Sequence, residues 1–106
     1  MALIVAFVPD LMLASRVGES LRAAGHEVVP GNPSSPAGLP AEADLVVCDL
    51  DAVDPGEVAA LPVPALGFYS HVDVETRQLA LDAGIDVVVP RSRMARELPQ
   101  LIEDMV

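Results

Sequence analysis

The stretch Ala43-Asp-Leu-Val-Val-Cys-Asp-Leu-Asp51 decides how the rest of the chain is interpreted. Its four consecutive apolar residues, Leu45 to Cys48, lead directly into the carboxylate of Asp49. A short apolar run with β-branched residues at its centre is typical of a strand buried on both faces of a parallel sheet. Ligands of open parallel sheets bind beyond the carboxyl ends of the strands, so the pattern predicts a functional position for Asp49. A carboxylate at a strand end can also cap the following turn, and the residues alone leave both roles open.

The residues before this stretch predict a strand, a helix and a second strand. Residues 2–8 are nearly all apolar and suit a central parallel strand. Asp10 is a natural N-cap for a helix over 11–24, in which apolar residues recur at helical spacing, and Gly25 suits the position just past the helix end. A short second strand is expected over 26–30.

Two segments beside the central stretch do not support full helices. Residues 31–40 carry three prolines, two glycines and two serines, which predicts a loop. Glycine and serine are also typical of phosphate-binding loops, but the segment lacks the spacing of the known glycine motifs. After the central stretch, Asp54 and Pro55 begin a helix that has room for about two turns before Pro62.

The residues after the central stretch predict two further pairs of strand and helix. Residues 65–69 suit a strand that ends at Ser70. Asp73 is expected to cap a helix over 74–83, and Gly84 suits the position just past its end. The stripe of this helix that is predicted to face the sheet consists of Thr76, Leu79, Ala80 and Ala83.

The last pair is a strand over 85–90, which ends at Arg91, and a C-terminal helix. Ser92 is expected to cap this helix. Pro99 falls inside it and lacks a backbone donor, which predicts a kink or a start just before the proline. The apolar stripe of the helix consists of Met94, Leu98, Leu101, Ile102 and Met105.

Together these segments predict an α/β fold of the flavodoxin-like type. Five parallel strands are expected in the order 2-1-3-4-5, with helices on both faces of the sheet. The second helix is reduced to a loop and the third is shortened. A chain of 106 residues can bury one core and contains no linker, so residues 1–106 are expected to form a single domain.

The charge balance narrows the choice of partners. The chain has 16 acidic residues, six arginines and no lysine, a formal net charge of −10, so neither nucleic acid nor an anionic membrane is an expected partner. No apolar run approaches the roughly 20 residues of a membrane span, and the first residues lack the basic region of a signal peptide. A cytoplasmic location is therefore expected. Arg91, Arg93 and Arg96 form a local positive cluster that predicts a contact surface.

Four predicted strands end at residues whose chemistry fits together. These residues are Asp10, Asp49, Ser70 and Arg91, and the fold brings such strand ends into one cleft. Carboxylates bind Mg²⁺, a hydroxyl contacts a phosphoryl oxygen, and a guanidinium neutralises the remaining charge, so the set is typical of a phosphoryl-handling site. Simpler roles stay open: Asp10 as a helix cap, Ser70 as a polar loop residue, and Arg91 in an ion pair with Asp49 or Asp10.

These features resemble the receiver domain of two-component response regulators. The stretch from Ala43 to Asp51 is similar to the strand that carries the phosphoacceptor. Tyr69-Ser70 is similar to the hydroxyl position after strand four, and Ala83-Gly84-Ile85-Asp86 to the glycine turn before strand five. The resemblance covers essentially the whole chain.

The resemblance implies a role for each strand-end residue: the phosphoacceptor Asp49, the metal ligand Asp10, the switch hydroxyl Ser70 and, at the position of the family's lysine, Arg91. The chain also departs from the family. Pro9 stands where the first of two adjacent acids is expected, which leaves Asp51 as a partial substitute in a Mg²⁺ site with Asp10 and Asp49. Arginine replaces lysine at residue 91, and Ser92 replaces the proline that normally follows. Because several residues of the phosphorylation cycle are changed at once, we interpret the chain as a degenerate member of the family, a pseudo-receiver.

The leading hypothesis is a non-enzymatic signalling module that acts by protein–protein contact and is defective in the usual phosphorylation cycle. Its partner would be another protein or a second copy, bound through helix four, strand five and helix five, where Arg91, Arg93 and Arg96 lie. A histidine kinase is a further candidate partner. One alternative is a phosphoaccepting receiver with Asp49 as its site. Another is a small-ligand-binding or enzymatic domain that uses the same cleft, and Mg²⁺ is the one cofactor that the resemblance implies.

Overall fold

A computed structural model describes residues 1–32, 34–36, 38–70 and 74–106. Within these ranges five strands form one sheet: β1 (Leu3–Phe7), β2 (Glu27–Pro30), β3 (Leu45–Asp49), β4 (Ala65–Tyr69) and β5 (Val87–Pro90). All neighbouring strands are parallel, and their order is β2-β1-β3-β4-β5. The predicted flavodoxin-like sheet is confirmed.

The described residues form four helices: α1 (Leu11–Ala23), α2 (Pro55–Ala59), α3 (Val74–Ala83) and α4 (Arg91–Met105). The described part of 31–40 contains no helix, as predicted, so the fourth and fifth helices of the sequence-based count are α3 and α4. The third predicted helix is α2, which has only five residues. Among the described helices, none is long and apolar enough to span a lipid bilayer.

Three of the residues predicted to begin or end helices, Asp54, Gly25 and Gly84, do so by the expected physical means. The Asp54 side chain accepts a hydrogen bond from the Gly56 amide at 3.0 Å and so caps α2. Gly25 and Gly84 follow α1 and α3 with φ angles of 95° and 100°, a region in which a Cβ atom is strained. Turn chemistry that is readable in the sequence therefore fixes these boundaries.

One face of the sheet is covered by two long helices. Buried residues of α1 and α4 pack against alternate residues of the central strands, such as Ile4 and Val47. Each helix contributes a full apolar stripe. The buried members of these stripes are Leu13, Val17 and Leu21 in α1, and Met94, Leu98, Leu101 and Ile102 in α4.

The opposite face has a much thinner cover. Val58 of α2 and Ala80 of α3 are the helical residues that are buried there among the described residues. The loop after β2 takes the place of a helix and approaches the sheet closely, because a Cβ atom at Gly31 would stand 2.3 Å from the ring of Phe7. Helices lie on both faces, as predicted, but the protection that they give is unequal.

Three expectations about the last two helices require correction or lie outside the described residues. The predicted stripe of α3 is wrong in part, because Leu79 is 57% exposed and Ala83 is exposed as well. The predicted cap Asp73 lies outside the described residues. In α4 the predicted cap is wrong, because the helix begins one residue before Ser92 and its N-cap residue, Pro90, makes no side-chain hydrogen bond.

Pro99 does not delay the start of α4. The helix runs continuously from Arg91 to Met105 with the proline inside it. Met94 and Leu98 are 1% and 2% exposed, so the segment before the proline is held by burial against the sheet. Tertiary packing therefore outweighs the hydrogen bond that proline cannot make.

Candidate functional site

The carboxyl ends of the strands place the predicted site residues along one edge of the sheet. Asp49 is the last residue of β3. Tyr69 of β4 pairs with Pro90 of β5, so Ser70 and Arg91 occupy the next position after two neighbouring strands. The pairing of parallel strands explains why residues far apart in sequence share this edge.

Asp10 acts as the N-cap of α1. Its Oδ1 atom accepts hydrogen bonds from the backbone amides of Met12 at 3.0 Å and Leu13 at 3.2 Å. The helix-cap role that the sequence left open is therefore confirmed. Asp10 also lines a cavity together with Arg91, and its charge contributes to the rise in the pKa of Asp49.

Asp49 is half-buried, and burial is the main reason why its pKa lies above the usual range. The negative charges of Asp51 and Asp10 raise this pKa further, while the backbone amide of Asp51 and the charge of Arg91 lower it. The amide of Asp51 donates to Asp49 Oδ1 at 2.9 Å. Asp10, Asp51 and Arg91 are thus all close enough to act electrostatically on Asp49.

Asp51 binds both polar groups of Ser70. The Ser70 hydroxyl donates to Asp51 Oδ2 at 2.6 Å, and the Ser70 amide donates to the same oxygen at 2.9 Å. An O–H to carboxylate distance of this size is typical of a charge-assisted hydrogen bond. The residues therefore form a connected series from Asp49 through Asp51 to Ser70. The sequence suggested Asp51 only as a metal ligand and gave no sign of this contact.

Arg91 does not form the expected ion pair. Among the described residues, no carboxylate oxygen of Asp49 or Asp10 lies within 4.0 Å of its guanidinium. The Arg91 side chain instead lines two adjoining cavities together with Arg16 of α1. Arg16 was not singled out by the sequence, because its proximity to Arg91 depends on how α1 packs beside α4.

The three carboxylates proposed for Mg²⁺ do not make a three-ligand metal site. No group of three acidic, histidine or cysteine side chains in the described part of the chain is placed to hold a metal ion. One oxygen of Asp10 caps α1, and one oxygen of Asp51 accepts both hydrogen bonds from Ser70. The other oxygen of each of these two carboxylates accepts no hydrogen bond from the described residues, and the Mg²⁺ site stays a prediction.

Cys48 offers no nucleophile beside the cleft. The residue is fully buried in β3, as expected for a small core residue. Burial, and secondarily the charge of Asp49, raises the pKa of its thiol to about 12. The reactive thiolate is therefore not populated at neutral pH.

The positive cluster lies on the exposed side of α4. Arg93 pairs with Glu97 one turn later, at an Nε–Oε2 distance of 3.4 Å. Arg96 Nε donates to the backbone oxygen of Ser92 at 3.3 Å. Both guanidiniums belong to exposed residues, so the cluster is available for contact, although Glu97 neutralises part of it.

The neighbouring helix α3 adds apolar surface to this side of the molecule. Val74, Leu79 and Leu81 are 70%, 57% and 39% exposed. Exposed apolar side chains on this helix are available for contact with a partner. The two helices flank β5, which places the arginines and the apolar residues on neighbouring elements.

No protein-family model matches the sequence, and no curated protein matches it either. The structure is nevertheless similar to solved response regulators. It matches a DNA-binding response regulator of the LuxR family from Staphylococcus aureus with a TM-score of 0.84, 14% identity and coverage of 99% of this chain and 98% of that one. It matches the chemotaxis response regulator CheY4 of Vibrio cholerae with a TM-score of 0.83, 17% identity and coverage of 100% and 99%.

A response regulator receiver domain protein from Clostridium thermocellum gives a TM-score of 0.83 at 16% identity, with 99% of this chain and 94% of that chain covered. At such identities the similarity establishes the fold, not the activity. The chain therefore has the receiver-like fold of response regulators over nearly its whole length. What the chain does with this fold depends on its own residues.

Proposed function

We propose that the protein is a receiver-like signalling module that acts by protein–protein contact and does not depend on the usual phosphorylation cycle. The observation that carries this proposal is the 2.6 Å hydrogen bond from the Ser70 hydroxyl to Asp51 Oδ2. In the receiver cycle, which the resemblance implies, the corresponding hydroxyl contacts a phosphoryl oxygen. In this chain the Ser70 hydroxyl already donates to the Asp51 carboxylate, so it has a hydrogen-bond partner in the absence of a phosphoryl group.

The electrostatics of Asp49 support the same proposal. Its pKa is raised by burial and by the charges of two neighbouring acids, so further negative charge at this residue is disfavoured. A phosphoryl group on Asp49 would add negative charge beside Asp10 and Asp51. No group of three acidic, histidine or cysteine side chains among the described residues is placed to hold a metal ion, so we expect Arg91 to neutralise most of this charge.

The contact surface that we propose comprises α3, β5 and the outer side of α4. It combines the exposed apolar residues of α3 with Arg93 and Arg96, and it suits a partner that carries carboxylates around an apolar centre. A second copy of this chain is one candidate, because its surface is rich in carboxylates, with 16 acidic residues against six arginines. A histidine kinase is a further candidate partner. No enzymatic activity is part of the proposal.

The test of the contact surface is the oligomeric state of the whole chain. Light scattering over a concentration series is expected to detect a dimer that weakens as salt is raised, because screening reduces the attraction of opposite charges. The double variant Arg93→Glu, Arg96→Glu should weaken the dimer. Arg16→Glu reverses a charge on a different surface and serves as the control. A monomer at every concentration, together with no partner recovered in a pull-down, contradicts the proposal.

One observation favours a second function, that of a phosphoaccepting receiver. Asp49 ends the central strand β3, and its Oδ2 atom accepts no hydrogen bond from any residue that the structure describes. Acetyl phosphate with Mg²⁺, or a beryllofluoride mimic, tests this function by intact mass and amide NMR shifts. The proposal predicts no mass gain and no shifts near residue 49. A mass gain that Asp49→Ala abolishes would establish the second function instead.

A further inference from the structure

The space between α1 and α4 contains a groove with an apolar floor. Its cavity measures about 200 Å³, and four of the side chains that line it, Leu13, Val17, Met94 and Leu98, are at most 6% exposed. A second cavity of about 230 Å³ adjoins it and shares Leu13 among its lining residues. The groove lies on the face of the sheet that α1 and α4 cover, apart from the contact surface proposed above.

Two guanidinium groups border this space. Arg16 of α1 and Arg91 of α4 line both cavities, and both residues are exposed. Within the described part of the chain, neither has a carboxylate oxygen within 4.0 Å of its guanidinium. The chain has 16 acidic residues and only six arginines, so two arginines that share a groove without an acidic partner are unexpected.

The local charge selects the kind of ligand. Asp10 lines the second cavity and is the acidic residue nearest to the two arginines among the lining residues described. Asp49 acts on Arg91 from outside the cavities. Among the residues that line them, two positive charges and one negative charge leave a net charge of +1. A monoanion fits that charge, whereas a dianion would meet repulsion from Asp10 as well as from the acidic surface of the molecule.

We propose that the α1–α4 groove binds a small carboxylic acid with a short aliphatic tail. The planar fork of arginine matches the two oxygens of a carboxylate, and the buried residues of the floor accept the tail. A cavity of about 200 Å³ is smaller than the sites of drug-sized ligands, so the tail has roughly six carbons. The site is formed by residues that the sequence places far apart and that α1 and α4 bring together.

This inference is independent of the proposed function. The ligand contacts neither Asp49 nor the Asp51–Ser70 pair, and the groove lies between α1 and α4 and not on the outer side of α4. Arg91 is close to both Asp49 and the groove, so the oligomeric state and the phosphorylation of Asp49 are measured on the chain without added carboxylic acid, and the failure of either idea leaves the other testable.

The methionine methyl groups provide the readout. The full chain, labelled with ¹³C at the methionine methyls, is titrated with sodium hexanoate at constant ionic strength. Met94 lies on the floor of the groove, and its signal is expected to shift with saturation. Met105, in the last turn of the same helix, does not line the groove and is the internal control. Hexanoate should bind about tenfold tighter than butanoate, because two more methylenes are buried.

Two comparisons separate the contribution of the ligand's carboxylate charge from that of its apolar tail. The variant Arg16→Gln should weaken hexanoate binding by about fivefold or more, whereas Arg93→Gln, on the outer side of α4, should leave it unchanged. Hexylammonium, whose alkyl tail is one carbon longer than that of hexanoate and whose charge is opposite, should cause no saturable shift. The proposal is overturned if 1-hexanol or hexylammonium shifts Met94 as strongly as hexanoate does, if Met105 shifts equally, or if hexanoate has no saturable effect on the wild-type chain.

Discussion

At the residue scale, the contact between Asp51 and Ser70 joins two strand ends. Asp51 stands two residues beyond the end of β3, and its carboxylate reaches the hydroxyl and the amide of the residue that follows β4. One carboxylate oxygen thereby ties two neighbouring strand ends together. Removing it affects both the stability of this edge and the position of the hydroxyl.

The variant Asp51→Ala removes both of these hydrogen bonds. The free energy of unfolding is expected to fall by about 1 kcal/mol, because the bonds are charge-assisted but exposed to water. The amide NMR signal of Ser70 should move, and urea denaturation measures the stability. Glu42→Ala removes the same charge in an exposed loop and is the control. Equal effects of the two variants would mean that charge alone, not the contact with Ser70, is responsible.

Asp49 leads to a prediction about pH. Burial is the largest reason why its folded-state pKa is raised, so the protonated form is favoured by folding. The stability that this provides is present below the ordinary range of an aspartate and is lost as pH rises through the raised pKa. Asp49→Asn, which keeps an oxygen for the Asp51 amide, should therefore be more stable than the wild type at pH 7.

The difference between Asp49→Asn and the wild type should narrow towards pH 4, where the native carboxyl becomes protonated. Urea denaturation of both proteins at the two pH values measures it. A stability difference that does not depend on pH would show that the ionisation of Asp49 is not the cause. Glu42→Gln, at an exposed residue, is the control and should show no such change with pH.

The residue types at the site were predictable from the sequence, but their contacts were not. The end of an apolar run marked Asp49, and helix-capping chemistry marked Asp10. The contact of Asp51 with Ser70 depends on the register of β3 and β4, and the proximity of Arg16 to Arg91 depends on the packing of α1 beside α4. Neither the strand register nor the helix packing can be deduced from a local sequence pattern. For this reason the sequence did not show that Arg91 lies beside Arg16, and the ion pair suggested for Arg91 was wrong.

At the scale of elements, the helix ends depend on glycine. Gly25 follows α1 with a φ angle of 95°, and no atom lies within 4 Å of the position that a Cβ would take. Gly25→Ala should therefore destabilise the protein by about 1 kcal/mol through backbone strain alone. Thermal denaturation measures this loss. Gly38→Ala, where a Cβ would meet only an ordinary contact at 3.5 Å, should be close to neutral.

The elements differ in how well their sequences define them. α1 and α4 each have one apolar stripe, so both their positions and their buried faces could be predicted. The apolar residues of α3 are spread around the helix, and helical spacing alone could not decide which of them faces the sheet. Of the predicted stripe, Ala80 is buried and Leu79 is 57% exposed. The position of the site could be predicted, because the carboxyl ends of parallel strands lie at the same edge of a sheet whatever their side chains are.

At the scale of the whole molecule, the sheet has one well-covered face and one thinly covered face. The amides of α3 should exchange with deuterium faster than those of α4, because α3 has one buried residue among those described and α4 has four. Hydrogen exchange at neutral pH, followed by mass spectrometry, measures both helices in the same sample. Equal protection of residues 74–83 and 91–105 would contradict this prediction.

The weak anchoring of α3 has a consequence for how the molecule meets a partner. Because Ala80 is the one residue of α3 that is buried among those described, the helix can be repositioned with little loss of packing. A protein that covers the exposed aliphatic side chains of α3 would add apolar contacts that the domain does not make by itself. Binding of the partner and stabilisation of α3 would then occur together. By thermodynamic linkage, a true partner should raise the melting temperature of this chain, and the tightest partner should raise it most.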